Sequence, residues 1–479
     1  MKDIVLITIN AKWIHPSLAL RLLKANLGAL EDSCEIIEFA LRQPLAEKLE
    51  PFLSSRPKIL GVSVSVWNHL ATIELLNELK NVWTVKPVIV LGGPEVSHLP
   101  EDAEIFQFAD HVIHGEGEIA FRELCEKIFQ EDFSPSRCRG NSMSGGRQDE
   151  EGEIKNAYYL YTDEDVSRKL IYVESSRGCP FKCEFCLSSV TENKVREFPL
   201  DKFLSEMDIL IQRGVKTFKF LDRSFNTNIK RALKIIEFFL NKIEQLPPLN
   251  PRKSEKSAQI RIPSPPFTVH FEMVPSLFPA ELIDALSRFP PETLRLEIGI
   301  QTLNSEVAAR IGRPSNPEKE LEALRLLREK TSAIIHADLI AGLPGEDLES
   351  FGRGFDKLWQ TCAKGKNRLE IQLGTLKLLP GTPLARHNEE FKMRYNPLPP
   401  YDIEENSTIS ANDMRRIKNY ARFWEVLINR GLVNITKNGD IFKNFLIFSD
   451  ELFTHFGRNY GIDKIELLKM AIKPELWTI

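Results

Sequence analysis

The chain has 479 residues, of which 42% are hydrophobic and 27% charged, and its formal net charge is −4. This length exceeds what one hydrophobic core supports, so it predicts two or three domains of ordinary globular composition. The small negative charge gives no global attraction to nucleic acid, no apolar run is long enough to span a bilayer, and the seven cysteines follow no disulfide framework. The N-terminus leads into an apolar strand rather than a signal peptide, so we expect a cytoplasmic protein with reduced thiols.

Residues 1–133 alternate between strand-like and helix-like segments. Five strands are predicted by the apolar runs Ile4–Ile9, Glu35–Phe39, Ile59–Val66, Pro87–Pro94 and Ala109–His114. Helical apolar spacing follows the first and third of these runs. The alternation predicts a doubly wound, Rossmann-like parallel sheet, whose ligands would bind beyond the carboxyl ends of the strands.

The loops at those strand ends carry glycines and small hydroxyl side chains. Their sequences are Ser63-Val64-Ser65-Val66-Trp67-Asn68, Gly92-Gly93-Pro94-Glu95-Val96-Ser97 and His114-Gly115-Glu116-Gly117-Glu118. They resemble the loops of the cobalamin (B12)-binding domain that precedes the catalytic domain in one large subgroup of radical S-adenosylmethionine (SAM) proteins. A corrin ring needs close approach of the backbone, which glycine permits. The resemblance implies cobalamin contacts at Asn10, His15, Ser63, Ser65, Trp67, Asn68, Gly92, Gly93, Pro94, Glu95, Val96, Gly115, Glu116 and Gly117.

The ligand of cobalt is a point of departure from other cobalamin proteins. The DxHxxG motif, which supplies a histidine to cobalt in many of them, is absent, but His15 lies in the first strand-to-helix loop, where that histidine would occur. Two roles stay open for His15: axial ligation of cobalt, and packing or a hydrogen bond beside the corrin. For the whole domain the alternative is a fold that has lost its cofactor or binds a nucleotide, although no GxGxxG follows the first strand.

Residues 134–167 form the predicted linker. Its first part, Ser134–Asn156, has almost no apolar side chains and cannot offset its ordering entropy by burial, so it is predicted to be mobile. Cys138, which lies within it, is not expected to be a metal ligand.

Three cysteines, Cys179, Cys183 and Cys186, lie within eight residues and directly follow a strand-like run. Structural zinc takes four protein ligands and an electron-transfer Fe–S cluster usually takes four cysteines, but no fourth Cys or His is nearby. The CxxxCxxC spacing strongly resembles the signature of the radical SAM superfamily. The resemblance implies a [4Fe-4S] cluster whose open iron binds SAM and whose electron cleaves it to a 5′-deoxyadenosyl radical. A zinc knuckle completed from a distance and three structural thiols stay open as alternatives.

Residues 168–385 show a second alternation of strands and helices. Six strands are predicted at Leu170–Glu174, Lys216–Asp222, Phe267–Met273, Thr293–Ile300, Ser332–Ile340 and Leu369–Leu378. The resemblance implies the partial (β/α)6 TIM-type barrel of radical SAM proteins. In barrels the chemistry lies at the C-terminal ends of the strands, so the residues at those ends are the candidates for binding SAM.

The strand ends carry carboxylates, an amide and a glycine turn. The segment Asp222–Asn226 has the D-R-x-F-N form of the family, and the turn Gly342–Gly345 permits close backbone contact with an adenine. The resemblance implies SAM contacts at Phe185, Asp222, Arg223, Glu272, Glu297, Gln301, Gly342, Leu343 and Pro344. Arg177, two residues before the first cysteine, has two open roles: steadying the loop, or a salt bridge exposed to solvent.

Two segments lie outside the barrel pattern. Leu246–Pro266 is basic and rich in proline, but it lacks the interleaved aromatic residues of single-strand nucleic-acid binders, so it predicts a solvated loop. Residues 386–479 predict a mostly helical domain, with helices at Ala411–Arg430, Ile441–Phe456 and Asp463–Ile472. This domain resembles the small C-terminal domain of some cobalamin-type radical SAM proteins, and either lines the substrate cavity or closes the open edge of the barrel.

These features together predict a cobalamin-dependent radical SAM enzyme that transfers a methyl group from methylcobalamin to an unactivated carbon. Cyclisation or rearrangement without methyl transfer is the nearer alternative, and a non-enzymatic metal-binding module is the more distant one. The expected partners are a small-molecule or peptide substrate and an electron donor such as flavodoxin or ferredoxin.

Overall fold

The computed structural model describes residues 1–130, 141–144, 154–191, 194–245, 266–362, 365, 367–433, 435 and 439–471. Its strands are β1 (Ile4–Asn10), β2 (Cys34–Ala40), β3 (Ile59–Ser63), β4 (Val88–Gly92), β5 (His111–His114), β6 (Asn141–Ser144), β7 (Ile171–Val173), β8 (Ser176–Arg177), β9 (Arg196–Glu197), β10 (Thr217–Phe220), β11 (Thr268–Met273), β12 (Leu294–Gln301), β13 (Ile334–Ala341), β14 (Leu369–Thr375), β15 (Arg394–Tyr395) and β16 (Ile403–Glu405). Its α-helices are α1 (Leu18–Ala25), α2 (Leu45–Leu49), α3 (His69–Val82), α4 (Glu118–Gln130), α5 (Asp163–Arg168), α6 (Ser188–Thr191), α7 (Leu200–Gln212), α8 (Ile229–Gln245), α9 (Ala280–Ser287), α10 (Ser305–Arg310), α11 (Pro317–Lys330), α12 (Leu348–Cys362), α13 (Ala411–Trp424), α14 (Ile441–Phe456) and α15 (Lys464–Ala471). None of the helices in these ranges is long and apolar enough to cross a membrane.

The N-terminal sheet is parallel, in the order β2-β1-β3-β4-β5-β6. Every residue of β1 is buried, because helices cover both faces of the sheet. The strand order reverses between β1 and β3, so the loops after these two strands flank the crevice in which ligands of doubly wound sheets bind. The predicted Rossmann-like sheet and its five strands are confirmed.

The predicted linker is more ordered than its composition indicated. Strand β6 lies inside the stretch predicted to be mobile and pairs with β5 in parallel. Ile154, Tyr158 and Tyr161 are buried in the same core as the second sheet, and a capping box of Thr162 and Asp165 begins α5. Residues 131–140, with Cys138, and 145–153 lie outside the described residues, as do residues 246–265 of the basic segment.

The second sheet has the parallel order β14-β13-β12-β11-β10-β7, so each strand pairs with its neighbour in the chain, as barrel strands do. Within the described residues β7 and β14 are edge strands that do not pair with each other. The barrel is therefore open on one side. Helices α7 to α12 follow the strands in turn, and the outward side chains, such as Phe220 and Phe271, pack in the core with them. The predicted six-stranded partial barrel is confirmed.

The C-terminal segment packs on the barrel through α13. This helix continues as a π-helical turn over Glu425–Asn429 and ends at Gly431, whose φ of +68° is the left-handed conformation that glycine adopts readily. Met414, Ile417 and Trp424 of this helix are buried, whereas Ala421 is only half-buried. The predicted helices at 441–456 and 463–472 correspond to α14 and α15.

Trp424 is the centre of this packing, so we expect Trp424→Ala to lower the free energy of unfolding by about 3–5 kcal/mol, because it leaves a large cavity. The indole is 1% exposed and packs edge-to-face with Phe355 at 4.9 Å and Phe445 at 5.0 Å between ring centroids. Urea unfolding followed by circular dichroism measures the change. Ile447→Ala, at a position 48% exposed on α14, is the control and should change stability little; equal loss in both variants would contradict the packing described.

Candidate functional site

The barrel interior is lined with polar side chains. Along β11 and β12 buried apolar residues alternate with partly exposed positions, and the latter carry polar or glycine residues at the centre of each strand. The apolar residues of these strands pack against the helices, so the polar residues between them face the barrel interior. The inward set includes Tyr172, Lys219, His270, Glu272, Glu297, His336, Asp338 and Gln372. Many barrels fill this space with bulky apolar residues, so a polar lining indicates a cavity for a polar molecule.

Polar contacts join the inward side chains of nearby strands. Lys219 Nζ lies 3.1 Å and His270 Nε2 lies 3.2 Å from Glu297, and His336 Nδ1 lies 2.9 Å from Glu370. The contact with His270 and the charge of Lys219 lower the pKa of Glu297 to about 2. Glu297 is therefore a carboxylate in this cavity, and its charge is already compensated by the protein.

Asp338 has the opposite electrostatic environment. Burial, followed by the charges of Glu297 and Glu272, raises the pKa of Asp338 to about 8. At neutral pH its carboxyl group is protonated and can donate a hydrogen bond into the cavity. Asp338, Lys219 and His270 were not among the predicted site residues, because they lie within strands rather than at strand ends. The period-two pattern within the predicted strands would have identified them.

Because of Asp338, we expect the free energy of unfolding of the wild type to fall as pH rises from about 4 to about 8. Over this interval the unfolded state has lost the proton that the folded state retains, so the folded state is disfavoured progressively. Asp338→Asn keeps the neutral shape, and we expect it to be more stable than wild type by about 1–3 kcal/mol at pH 9 but by only about a quarter of that at pH 5. Urea unfolding at both pH values tests this. Asp284→Asn, with a side chain 69% exposed, is the control; the same gain at both pH values would contradict the shift.

The cysteine loop, defined here as residues 174–186, begins at the carboxyl end of β7 and is fixed there by Asp222. The Asp222 side chain is buried and accepts hydrogen bonds from the Ser175 backbone N–H at 2.9 Å, from Ser175 Oγ at 2.7 Å and from Ser176 Oγ at 2.6 Å. The resemblance found in the sequence implied a SAM contact for this carboxylate. The structure commits it to the loop instead, because three donors already use its oxygens.

The other end of the cysteine loop is fixed by Glu184. Its backbone N–H donates to the carbonyl of Ile311 at 3.0 Å, and its buried carboxylate accepts from Arg386 Nε at 3.0 Å and contacts His387 Nε2 at 2.8 Å. Gly312 has a φ of +63° and lies so near that a Cβ would meet the Lys182 carbonyl at 3.0 Å. The roles of Glu184, Arg386 and His387 were not predicted from the sequence, since partners some 200 residues apart leave no local signal.

Cys179, Cys183 and Cys186 are free and half-buried. Burial raises the pKa of Cys179 and Cys183, and the neighbouring thiols raise it further, so the three sulfurs share one environment. Each thiolate of a cubane cluster binds a different iron, so they need to line one cavity rather than converge on a point. In the described part of the chain no three His, Cys, Asp or Glu side chains converge on a single ion. Within these residues the three thiols therefore do not form the single-ion site of a zinc knuckle.

The remaining candidate SAM residues divide into two groups. Arg223 and Glu272 lie at the barrel rim with 3.6 Å between their charged groups, Phe185 is half-buried against the barrel core, and Gln301 has a φ of +68° beside Gly299. These residues, with Glu297, lie near the cysteine loop or face the cavity.

Gly342, Leu343 and Pro344 form the second group, which lies beneath the C-terminal segment. Gly342 has a φ of +90°, and a Cβ there would meet Ile403 of β16 at 2.7 Å. Leu343 is fully buried, and the Pro344 carbonyl accepts from Arg310 Nη1 at 2.8 Å. The predicted adenine contact at Gly342 and Leu343 is therefore wrong: the close approach that glycine permits there is used by β16.

At the carboxyl edge of the N-terminal sheet, some predicted cobalamin residues are accessible. Trp67 is 50% exposed and its indole N–H donates to the Ile9 carbonyl at 3.3 Å, and Pro94 and Gly115 are exposed. Ser63, Gly92, Gly93, Glu116 and Gly117 are half-buried along the same edge. A planar group could rest on this edge, and the exposed indole offers it an apolar face.

Other residues predicted to contact cobalamin stabilise the loops from within. The fully buried amide of Asn68 donates to the carbonyls of Ile9 and Ser63 and accepts from the buried Ser65 N–H at 2.8 Å. Val96 is fully buried as well. These two side chains cannot touch a ligand at the edge, so the predicted contacts are corrected to structural roles.

Asn10 and Glu95 are also engaged by the protein. The Asn10 amide donates to Glu38 at 3.0 Å, and Glu95, which is 2% exposed, contacts His69 Nδ1 at 2.8 Å and accepts from Tyr401 Oη at 2.5 Å. The predicted contact of Glu95 with cobalamin is corrected in the same way, whereas contact of Asn10 with cobalamin stays a prediction. Gly93 has a φ of +105°, and a Cβ there would meet the Val64 carbonyl at 2.5 Å, so the neighbouring strand alone requires this glycine.

His15 reaches from the N-terminal sheet to the barrel. Its Nδ1 lies 2.7 Å from Tyr172 Oη, which projects from β7. Burial lowers the pKa of His15, so the ring is neutral at pH 7. The hydrogen bond is made with the barrel and leaves Nε2 as the nitrogen available to a metal; ligation of cobalt stays a prediction.

Side-chain contacts join the carboxyl edge of the N-terminal sheet to the open side of the barrel and to the C-terminal segment. His15 contacts Tyr172, Glu95 accepts from Tyr401, and the Arg177 guanidinium contacts Glu116 at 3.0 Å and Glu118 at 2.7 Å. The Arg177 side chain is 13% exposed, which excludes the solvent salt bridge left open by the sequence. The edge of the sheet and the cysteine loop therefore border one shared interface.

Two family models match the chain. The model described as the radical SAM superfamily matches residues 173–358, which include the cysteine loop and the four barrel strands β10 to β13, and the B12 binding domain model matches residues 4–125. The C-terminal segment lies outside both matches.

Curated relatives include methyltransferases. An uncharacterized methyltransferase of Pyrococcus horikoshii is 28% identical over 204 residues, which are 37% of this chain and 42% of the relative. The cobalamin-dependent radical SAM methyltransferase TokK of Streptomyces tokunonensis is 24% identical, and a 2-(S-pantetheinyl)-carbapenam-3-carboxylate methyltransferase of Streptantibioticus cattleyicolor is 23% identical; each match covers 68% of this chain and 48% of the relative. The chain thus spans less than half the length of these relatives.

Solved structures share the fold at low sequence identity. The cobalamin-dependent SAM radical enzyme OxsB with aqua-cobalamin bound has a TM-score of 0.63 at 15% identity, covering 98% of this chain and 74% of OxsB. The radical SAM methyltransferase TsrM from Kitasatospora setae, with cobalamin and a [4Fe-4S] cluster bound, has a TM-score of 0.57 at 19% identity, covering 80% of this chain and 74% of TsrM. These likenesses concern the fold alone.

Proposed function

Because the chain belongs to the radical SAM superfamily and carries a B12-binding domain, we propose that it is a cobalamin-dependent radical SAM enzyme that methylates an unactivated carbon. The observation that carries the proposal is the position of three free thiols at the open barrel, beside the carboxyl edge of the N-terminal sheet. When bound, a [4Fe-4S] cluster supplies the electron that cleaves SAM, and cobalamin supplies the methyl group.

The residues of the chain have distinct roles in this proposal. Cys179, Cys183 and Cys186 bind the cluster, while Asp222 and Glu184 hold the two ends of the cysteine loop. Arg223 and Glu272 at the rim, with Phe185, Glu297 and Gln301, are the proposed contacts of SAM. Trp67, with the exposed glycine and proline residues of the sheet edge, supports cobalamin. In this proposal the barrel and the edge of the N-terminal sheet exclude water from the reacting atoms, which protects reactive species.

The charged lining of the barrel interior favours a polar substrate. Lys219 and Glu297 form an ion pair there, and protonated Asp338 offers a hydrogen-bond donor. A lipid tail would leave these groups desolvated without partners, which is costly. We propose a small polar molecule or a peptide side chain as substrate, and a low-potential electron donor of the flavodoxin or ferredoxin kind as partner.

Anaerobic reconstitution of the full chain tests the proposal. We expect about four irons and four sulfides per chain, binding of added cobalamin, and formation of 5′-deoxyadenosine from SAM after reduction. SAM labelled in its methyl group then separates the chemistries once a substrate is turned over. Label in the product supports methyl transfer, whereas an unlabelled, cyclised or rearranged product favours the alternative. One zinc per chain without SAM cleavage would overturn the whole proposal.

A further inference from the structure

Arg177 joins the cysteine loop to the N-terminal sheet through a cluster of three carboxylates. Its Nη2 lies 2.7 Å from Glu174 and 2.7 Å from Glu118, and its Nη1 lies 3.0 Å from Glu116. Glu174 directly follows β7 of the barrel, whereas Glu116 lies in the β5–α4 loop and Glu118 is the first residue of α4. The side chain stands two residues before Cys179, so one guanidinium contacts both walls of the shared interface.

The geometry of this cluster connects the cysteine loop firmly to the segment that begins α4. The guanidinium is planar and its donors point in fixed directions, so it fits these carboxylates in one arrangement only. Glu118 and Glu174 have side chains 7% and 12% exposed, and Arg196 adds a second cation at Glu116. A shift of either loop would leave poorly solvated carboxylates without their cation, which is unfavourable.

Both loops contain residues of the proposed cofactor sites. Gly115, Glu116 and Gly117 belong to the proposed cobalamin edge, and Cys179 follows Arg177 after a single glycine. We propose that Arg177 is a positioning residue that couples the two sites, so that cobalamin and the cluster each raise the affinity of the protein for the other. This inference rests on the proposed function, and it is reciprocal because linkage between two binding equilibria must be.

The other cross-interface contacts provide a control, because they do not involve the cysteine loop. Tyr401 Oη donates to Glu95 at 2.5 Å, far along the chain from the cysteines, and His15 contacts Tyr172 within β7. Tyr401→Phe removes one hydrogen bond between the N-terminal sheet and the C-terminal segment while leaving Arg177 untouched. This variant therefore shows how a weakened interface alone changes cobalamin binding when the proposed coupling through Arg177 is intact.

The test measures binding rather than catalysis. Hydroxocobalamin is titrated anaerobically into the full-length protein with and without its reconstituted cluster, and the ratio of the two dissociation constants is compared among variants. We expect about 5- to 150-fold tighter binding to the cluster-loaded wild type. The ratio should fall near one in Arg177→Gln and part of the way toward one in Glu118→Gln, which leaves Arg177 in contact with Glu116. It should fall no further in the double variant than in Arg177→Gln, and it should stay at the wild-type value in Tyr401→Phe.

Several outcomes would overturn the inference. A wild-type ratio near one, a wild-type ratio retained in both Arg177→Gln and Glu118→Gln, or equal loss in Tyr401→Phe each contradicts coupling through Arg177. If Arg177→Gln does not fold, Glu118→Gln carries the test, since it leaves Arg177 with two carboxylates, and Arg177→Lys should restore part of the ratio. A wild type that binds neither iron nor hydroxocobalamin overturns the proposed function itself, whereas binding of both without linkage overturns only the inference.

Discussion

Replacing any one of Cys179, Cys183 and Cys186 with serine is expected to lower SAM cleavage by more than about 100-fold and to prevent assembly of a stable cluster. A hydroxyl is a poor ligand for iron compared with a thiolate, and each of the three side chains holds a separate iron of the proposed cubane. The readouts are iron and sulfide content after anaerobic reconstitution, the signal of the reduced cluster in electron paramagnetic resonance, and 5′-deoxyadenosine formed from SAM.

Two cysteines of the N-terminal sheet provide the control for this result. Cys34 and Cys125 are almost completely buried, and burial raises the pKa of Cys34 to about 12, so neither thiol is a ready metal ligand. Cys34→Ser and Cys125→Ser should therefore keep the iron content and SAM cleavage of the wild type. A loop variant that retains both properties, or a control variant that loses them equally, would place the cluster elsewhere.

The sequence was informative where the chemistry depends on neighbours in the chain. The spacing of the cysteines, the alternation of β1 to β5 and the six barrel strands are local patterns, and the structure has them within a few residues of the predicted bounds. Strand β6 was not predicted, because Asn141–Ser144 has no apolar alternation. Its place at the sheet edge comes from pairing with β5 alone.

The roles of polar loop residues were harder to predict, because their partners are distant in sequence. Glu184 and His387 are 203 residues apart, and Arg177 and Glu118 are 59 apart. Asn68 was predicted to contact cobalamin, but a buried amide can satisfy backbone groups of its own loop equally well. A single sequence identifies a polar residue at a strand end, whereas only the three-dimensional pairing decides whether it faces a ligand or holds the loop.

The same question, whether a residue faces a ligand or holds a loop, applies to Asp222. Its replacement is the second change for which we expect a large effect. Asp222→Ala removes the acceptor of three hydrogen bonds inside the loop stem, leaving one backbone N–H and two hydroxyls without their partner. Each unsatisfied buried donor costs about 1–3 kcal/mol, so the stem of the cysteine loop should lose its fixed conformation. We expect most of the iron content to be lost, and SAM cleavage to fall with it.

The two possible roles of Asp222 differ in the order in which functions fail. If the carboxylate holds the loop, as its 2% exposure indicates, Asp222→Ala loses iron before any effect on SAM is measurable, and Asp222→Asn, which retains one oxygen acceptor, has an intermediate iron content. If the carboxylate instead binds the ammonium of SAM, both variants keep the full cluster and show only a raised dissociation constant for SAM. Asp284→Ala, at a side chain 69% exposed on a barrel helix, is the matched control and should change neither quantity. Iron analysis and equilibrium binding of SAM on the same preparations separate the two roles, because a loop support acts on the cluster first and a direct contact acts on SAM alone.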